Sequence, residues 1–387
     1  MANENTLTGL IPTIYRAADR VLREQIGFIG AVYLDPSGEM VAKDQNITYP
    51  IVPTMAASDV APGPVLTEPA GAALGYGSMT ISKVKKVPFV WKGEEQAAIA
   101  PIFDNVKEDQ FSQAFRTLVN EVESDLALAA AAGASQAYGT AGVTPFATAG
   151  NLADVAGPRK ILIDNGAWTS DMHMVLSTTS GAQIRSIQAN LFKVNEAGSA
   201  DLLREAKLGR LEGFEMHESG QIVTHAKGTA SGYLVDLTAG YAAGKNTVHI
   251  DTGTGTILAG DVLSNTKTAR DTNKYVVGTG FAGDGDGDIV LAKPGLKVAW
   301  VNNDPVAVGA AYTGNFAFER NAIHLLTRLP KLPKEGALGE HIEVSDAFSG
   351  ITFLVSIYPA YHEVIVEVSL AWGVKVVKPE AIVTLLG

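Results

Sequence analysis

The pattern of apolar and polar positions divides the chain into one long helical stretch and several strand-rich regions. Phe111, Phe115, Leu118, Val122 and Leu126 follow one another at steps of four, three, four and four. That spacing lines one face of a 3.6-residue helix. Glu108, Gln113, Arg116, Asn120, Glu121 and Glu123 fall largely off the stripe, and the run Ala127–Ala132 has the highest intrinsic helix propensity. Together they predict a helix over Asp104–Tyr138, roughly 45 Å long at a rise of about 1.5 Å per residue. Asp104 suits the N-cap, but Lys107 stands where a capping box needs Glu or Gln. Such a helix suits a core helix, a coiled-coil arm or the spine of an elongated subunit. The stripe gives way to alanines after four or five turns, which argues against a heptad coiled coil and favours a spine.

Before it, Thr6–Arg23 reads as a short amphipathic helix, with Pro12 in its first turn. Ile29–Leu34, Ile47–Val52, Met79–Lys86 and Pro88–Trp91 read as strands. The connection Pro53–Gly77 is rich in Pro and Gly and too long for an ordinary loop, so two long antiparallel strands with a wandering tip are expected to project as an arm. Lys83, Lys85 and Lys86 lie along it and read as a solvated edge that resists aggregation.

After the long helix, Asp154–Gly166 and Gly181–Leu191 read as helices, the first closing at Asn165-Gly166. His173–Ser177 reads as a buried strand, and Gly213–Glu218 and Gln221–His225 as paired strands. From Gly228 to Gly314, short β runs alternate with Gly- or Asp-rich turns, as in a small barrel or sandwich. The runs are Thr247–Ile250, Ile257–Leu263, Lys274–Gly278, Ile289–Leu291, Lys297–Val301 and Val306–Ala310. Mixed patterns resume at Phe316, so an inserted all-β domain is the economical description. Phe316–Leu329 reads as a strand-pair edge and Leu329–Gly336 as a Pro-stiffened linker. Ile342–Val344, Thr352–Tyr358 and Val364–Trp372 read as a closing antiparallel sheet, followed by Val374–Val377 and Ile382–Leu386.

Composition narrows the function classes. The chain has 387 residues, 46% of them hydrophobic and only 18% charged, with 40 glycines. That suits a protein that hides surface against partners, and equally a loop-rich β protein. A net charge of −11 argues against a phosphate-neutralising nucleic-acid-binding domain, though not against a container for nucleic acid. The absence of cysteine removes disulfide scaffolds, thiolate metal sites and cysteine nucleophiles. No apolar run is long enough to span a membrane, and the first residues lack the pattern of a signal peptide. The chain therefore reads as soluble and intracellular.

Candidate chemistry is sparse. Asp284, Asp286 and Asp288 occupy the first three ligand spacings of a calcium loop, but Ile289 stands where the loop needs Gly and Gly295 where it needs a bidentate Glu. The run reads as a solvated hairpin turn, with weak Ca²⁺ binding left open. Its glycines neither follow a parallel strand nor open a helix, so they are no dinucleotide fingerprint. The histidines, at 173, 217, 225, 249, 324, 341 and 362, show neither HxxxH nor HxH spacing. His217 and His225 are placed to face each other on their expected paired strands. There is no GxSxG elbow, and Asp35, Asp59 and Asp171 stand in turn contexts without a pairing signal. Arg159-Lys160 and the Lys331/Lys334 pair are isolated from stacking aromatics. The residues give no catalytic, cofactor-binding or metal assignment, no cofactor and no enzyme.

Several strings, in their order along the chain, resemble one family. They are Asn5-Thr6-Leu7-Thr8-Gly9-Leu10-Ile11-Pro12, Val87-Pro88-Phe89-Val90-Trp91-Lys92-Gly93-Glu94-Glu95-Gln96, Tyr138-Gly139-Thr140-Ala141-Gly142 and Asp271-Thr272-Asn273-Lys274-Tyr275-Val276-Val277. Ser369-Leu370-Ala371-Trp372-Gly373 and Val377-Lys378-Pro379-Glu380 follow near the end. With the order of elements, they resemble the major capsid proteins of tailed double-stranded-DNA bacteriophages, in the podovirus-type branch that carries an inserted domain. The resemblance implies an α+β chain of the Hong Kong-97-type fold. Its parts would be an N-terminal arm (1–40), an extended loop (41–95), a peripheral domain with the spine helix (96–150), an axial domain (151–227 and 315–387) and a β-barrel-like insertion (228–314). It implies a coat protein forming hexamers and pentamers of an icosahedral shell around packaged DNA, without sequence-specific binding and away from membranes. Implied partners are other copies of itself, a scaffolding protein, a portal and a decoration protein, with assembly in the host cytoplasm. Neither self-cleavage nor a Lys–Asn cross-link transfers to particular residues. A β-rich binding module, such as a tail or adhesin component gripping its target through 228–314, is the alternative from a different class.

Overall fold

The computed structural model describes residues 13–14, 26–51, 75–98, 103–187, 208–267, 271–332, 339–346 and 349–387. Most of the expected N-terminal helix and of the Pro/Gly-rich connection, together with Asp59, Leu191 and Lys334, lies outside those residues.

The long helix runs from Phe103 to Gly133. All five residues of the predicted stripe are at most 1% exposed, each worth about 2 kcal/mol of apolar burial. The helix stops short of the expected Tyr138, because Gln136–Gly139 is a strand parallel to Ile382–Leu386. Gly133 marks the change of course. A Cβ there would lie 2.5 Å from a methyl of Val376, so only glycine lets the helix end approach that strand so closely.

The helix packs on a six-stranded sheet whose central member is the long strand Glu363–Val376. Lys83–Lys92 pairs along one edge of that strand. Thr352–Ala360 and Ile323–Pro330 share its other edge, and Glu340–Ser345 and Tyr33–Val41 flank them. Rings lock helix to sheet: Phe89 meets Phe111 edge-on with centroids 5.1 Å apart, and Phe115 meets Phe353 at 5.0 Å.

A second sheet runs Gln136–Gly139, Ile382–Leu386, Tyr312–Glu319, Met172–Ser177, Phe214–Ser219 and Arg210–Leu211. One face is covered by the helices Ala153–Asp164 and Thr178–Ile187, around Phe146, Leu162, Met174, Ile184 and Phe214. The apolar run expected as a single strand-pair edge is in fact two central strands. Tyr312–Glu319 belongs to this sheet and Ile323–Pro330 to the first, joined by the short 3₁₀ turn Arg320–Ala322. The pairing expected between Gly213–Glu218 and Gln221–His225 does not form. Phe214–Ser219 runs parallel to Met172–Ser177, and Thr224–His225 pairs with Tyr312 and Thr313.

Between Tyr233 and Val308, six short strands close on themselves. Tyr233–Val235, Thr247–Asp251, Gly287–Leu291, Lys274–Thr279, Val262–Asn265 and Pro305–Val308 form an antiparallel ring, the last pairing back to the first. Closure leaves the ring without a free edge. Of the expected runs, Ile257 and Trp300 contribute only isolated bridges, and Tyr233–Val235 is an additional strand. The ring joins the second sheet where Lys274 and Tyr275 pair with Ala137 and Gln136.

Inside the ring, buried Asp271 accepts hydrogen bonds from Tyr275 Oη (2.8 Å), Trp300 Nε1 (2.9 Å) and the Asn273 backbone N–H (2.9 Å). Asp271→Ala strands two buried ring donors at once, and is expected to destabilise the protein by about 3 kcal/mol. Asp271→Asn, which keeps an acceptor, is expected to cost less. Thermal unfolding followed by near-UV circular dichroism, which reports Trp300 and Tyr275, checks both; equal unfolding of D271A and wild type would remove Asp271 as the organising group.

Candidate functional site

The feature with the clearest outward character is a two-stranded ribbon, Asn46–Ile51 paired with Gly75–Thr80. Among the described residues its strands pair only with each other. At its root, Ile47, Tyr49 and Met79 pack on Val41, Ile81, Leu326 and Ala371. The Tyr49 ring covers Gly77, where a Cβ would come within 2.4 Å of it. On the other face of the root Thr48 and Ser78 are exposed, and further out Pro50 is exposed and Tyr76 is 75% exposed.

The lysines beyond the ribbon stay exposed, as the solvated-edge reading expects, and each also reaches a carboxylate. Lys83 pairs with Asp125 (2.7 Å), Lys85 with Glu121, and Lys86 with Glu367 (2.8 Å). Two of the three partners sit on the long helix, and Asp125 also accepts the Trp372 Nε1–H at 2.8 Å. The polar face of the helix is thus the anchorage for the strand that carries the ribbon. A hydrogen bond between Glu367 and Lys86 holds the ammonium pKa above its usual range.

Glu123 departs most from its expected place off the apolar stripe. It is 2% exposed. Its carboxylate accepts the backbone N–H of Phe28 (3.1 Å) and of Ile29 (3.0 Å), and the Ser219 hydroxyl (3.1 Å). One side chain therefore ties the helix to the segment before the first strand and to the second sheet. Burial pushes its pKa up, while these hydrogen bonds oppose the rise.

The histidines are distributed by sheet register. His173 Nδ1 lies 3.0 Å from His217 Nε2, and the other ring nitrogen of His173 lies 2.8 Å from Asp171. Arg320 reaches the same edge of His173 and pairs with Asp171 at 3.0 Å. Burial lowers both histidine pKa values, that of His217 to about 4, with His173 as its second cause. His217 does not meet His225, whose partner is Asp261 at 2.9 Å.

Asp284, Asp286 and Asp288 do not converge. Asp284 accepts the Gly255 backbone N–H at 2.6 Å, whereas His249 is clasped by Asp286 through one ring nitrogen and by Asp288 through the other. The Asp288 hydrogen bond leads the rise of the His249 pKa. Asp35 is taken by Arg328 at 2.9 Å, and Lys160 by Asp164 at 2.7 Å. No local pattern along the chain marks the Glu123 hub. For the His173–His217 pair, the alternation of Met172–Ser177 showed a strand but not which strand lies beside it.

No protein-family model and no curated protein matches the chain. Among solved structures, the chain is similar to the capsid structure of the cyanophage P-SCSP1u at 11% identity and a TM-score of 0.48, over 94% of this chain and 88% of that one. It is similar to a structure from Mycobacterium phage Che8 at 12% identity and a TM-score of 0.45, over 89% and 85%. The virus-like particle from Pyrococcus furiosus is similar at 10% identity and a TM-score of 0.43, over 97% and 98%.

Proposed function

We propose that the chain is the coat subunit of a tailed-phage capsid, a structural protein that associates with further copies of itself rather than a catalyst. The observation that carries this reading is the ribbon Asn46–Ile51/Gly75–Thr80. Among the described residues both outer edges of this two-stranded ribbon are without a strand partner; such a ribbon is at best marginally stable in water, and its edges are templates for another chain. Here the root is fastened to the body by an apolar cluster and the next strand by three ion pairs. The outer part is left with an exposed Tyr76. That construction suits an arm laid over a neighbouring subunit.

In this reading the long helix and the six-stranded sheet form the peripheral part, the second sheet with its two helices forms the axial part, and the closed ring is the insertion. Copies arranged as hexamers and pentamers would enclose double-stranded DNA, with a scaffolding protein and portal assisting assembly in the host cytoplasm and a decoration protein on the finished shell. Trp168 and Tyr361, 71% and 89% exposed, offer apolar contacts away from the ribbon, as heterologous packing in closed rings requires. The net charge of −11 suits a wall that holds DNA without gripping it.

Electron microscopy and light scattering of the expressed chain, alone and with its neighbouring phage proteins, test the reading. Closed particles of megadalton mass are the expected result. A chain that stays monomeric or dimeric under every one of these conditions would defeat it.

A further inference from the structure

We propose that His173, His217 and Glu215 form a divalent-metal site, suited to zinc, on the face of the second sheet away from its covering helices. Parallel pairing places Glu215 opposite His173, and His217 opposite Val175. Side chains alternate along strands, so residues 173, 215 and 217 project from one face. One ligand atom from each of the three lies within 4.8 Å of the others. The pair His173 Nδ1 and His217 Nε2 is 3.0 Å apart, and Glu215 Oε2 is 3.9 Å from His173 Nδ1. Zinc with imidazole and carboxylate ligands needs metal–ligand distances of about 2.0–2.2 Å.

The surroundings are arranged as a metal-ligating histidine requires. Asp171 lies 2.8 Å from His173 Nε2 and shares that edge of the ring with the Arg320 guanidinium, while Nδ1 faces His217 and Glu215. A carboxylate behind a ligating imidazole in this way orients the ring and raises its basicity. The Arg320 guanidinium sits at the Nε2 edge of the ring, where Asp171 balances its charge. His173 is fully buried while the Glu215 side chain is 54% exposed. The site therefore has a buried inner ligand and a half-exposed outer one. A bound ion would cross-link two parallel strands that are far apart in sequence.

The test uses the full-length chain, stripped with EDTA and dialysed against ZnCl₂, with bound metal measured by elemental mass spectrometry. Cobalt(II) chloride serves as a spectroscopic probe. One zinc per chain and the intense visible bands of a tetrahedral cobalt centre are expected for wild type. His217→Ala is expected to lose both. Asp171→Asn is expected to weaken zinc binding by about 10- to 100-fold while keeping the ligands. Glu215→Gln, at an exposed position, covers the case in which His217→Ala does not fold: it too is expected to weaken zinc binding and alter the cobalt spectrum. Zinc content and cobalt spectrum unchanged in Glu215→Gln and in Asp171→Asn, or no zinc retained by wild type, would overturn the proposal.

Discussion

Replacing residues 52–74 by a two-residue Asn-Gly turn is expected to give a folded subunit that no longer forms particles. Ile51 and Gly75 are register partners, so a short turn of the hairpin-favouring kind joins the strands without moving them. The apolar root of the ribbon and the ion pairs of Lys83, Lys85 and Lys86 remain in place. The unfolding midpoint is therefore expected to stay close to that of wild type. If the ribbon reaches over a neighbour as proposed, the deletion removes that reach, and particle yield by sedimentation and electron microscopy is expected to fall to background. Normal particles from this variant would show that the arm is not a clasp between subunits. A variant that fails to fold would show instead that the connection belongs to the body.

The second large effect is at Glu123. Glu123→Ala removes the acceptor shared by two backbone amides and a serine hydroxyl in a buried place, and is expected to cost about 3 kcal/mol or more. Glu123→Gln keeps one carbonyl oxygen for the amides of Phe28 and Ile29 and donates to Ser219, so about 1 kcal/mol is expected. The pH dependence separates the charge from the hydrogen bonds. The folded-state pKa of Glu123 is raised, with burial the largest cause. Its contribution to stability is therefore fully present below the unfolded carboxylate pKa of about 4.3 and is lost as pH rises through the folded value. Denaturant titrations across acidic and neutral pH should find the penalty of Glu123→Gln largest at the acid end and shrinking upward. A penalty that grew with pH would mean that the amides favour the ionised carboxylate more than burial opposes it.

Glu123 also shows where sequence reading reaches its limit. The apolar stripe of the long helix is a local signal, repeated every three or four residues, and Phe111 through Leu126 were placed by it alone. A carboxylate beside that stripe reads as solvent-facing because its partners, Phe28 and Ile29, are about 95 residues away in the chain. The helix end was misplaced for a related reason. The alanine run continues the propensity, but the parallel pairing of Gln136–Gly139 with Ile382–Leu386 overrides it. Strand positions between Thr247 and Val308 were legible from alternation and turn residues. Ring closure, which depends on Val262–Asn265 pairing with strands on both sides, was not. The histidines failed in the same way: spacing along the chain says nothing about the register that sets His173 beside His217.

Two crossings between the two sheets, at Arg320–Ala322 and Val377–Ala381, lie beside the turn Gly133–Ser135 that leads from the long helix into the second sheet. They are stitched by Ser135, whose backbone N–H and hydroxyl both donate to Ile382 O, by Asn165 Nδ2, which donates to Ser135 Oγ and to Glu380 O, and by Val377 N–H, which donates to Ala322 O. A domain that bends needs a few residues free to absorb changes in φ and ψ, and each of these crossings is short and cross-bonded. If the chain is the proposed shell subunit, places with five neighbours and places with six would ask different fits of one sequence; a cross-bonded junction would then leave that adjustment to the ribbon and the outer loops.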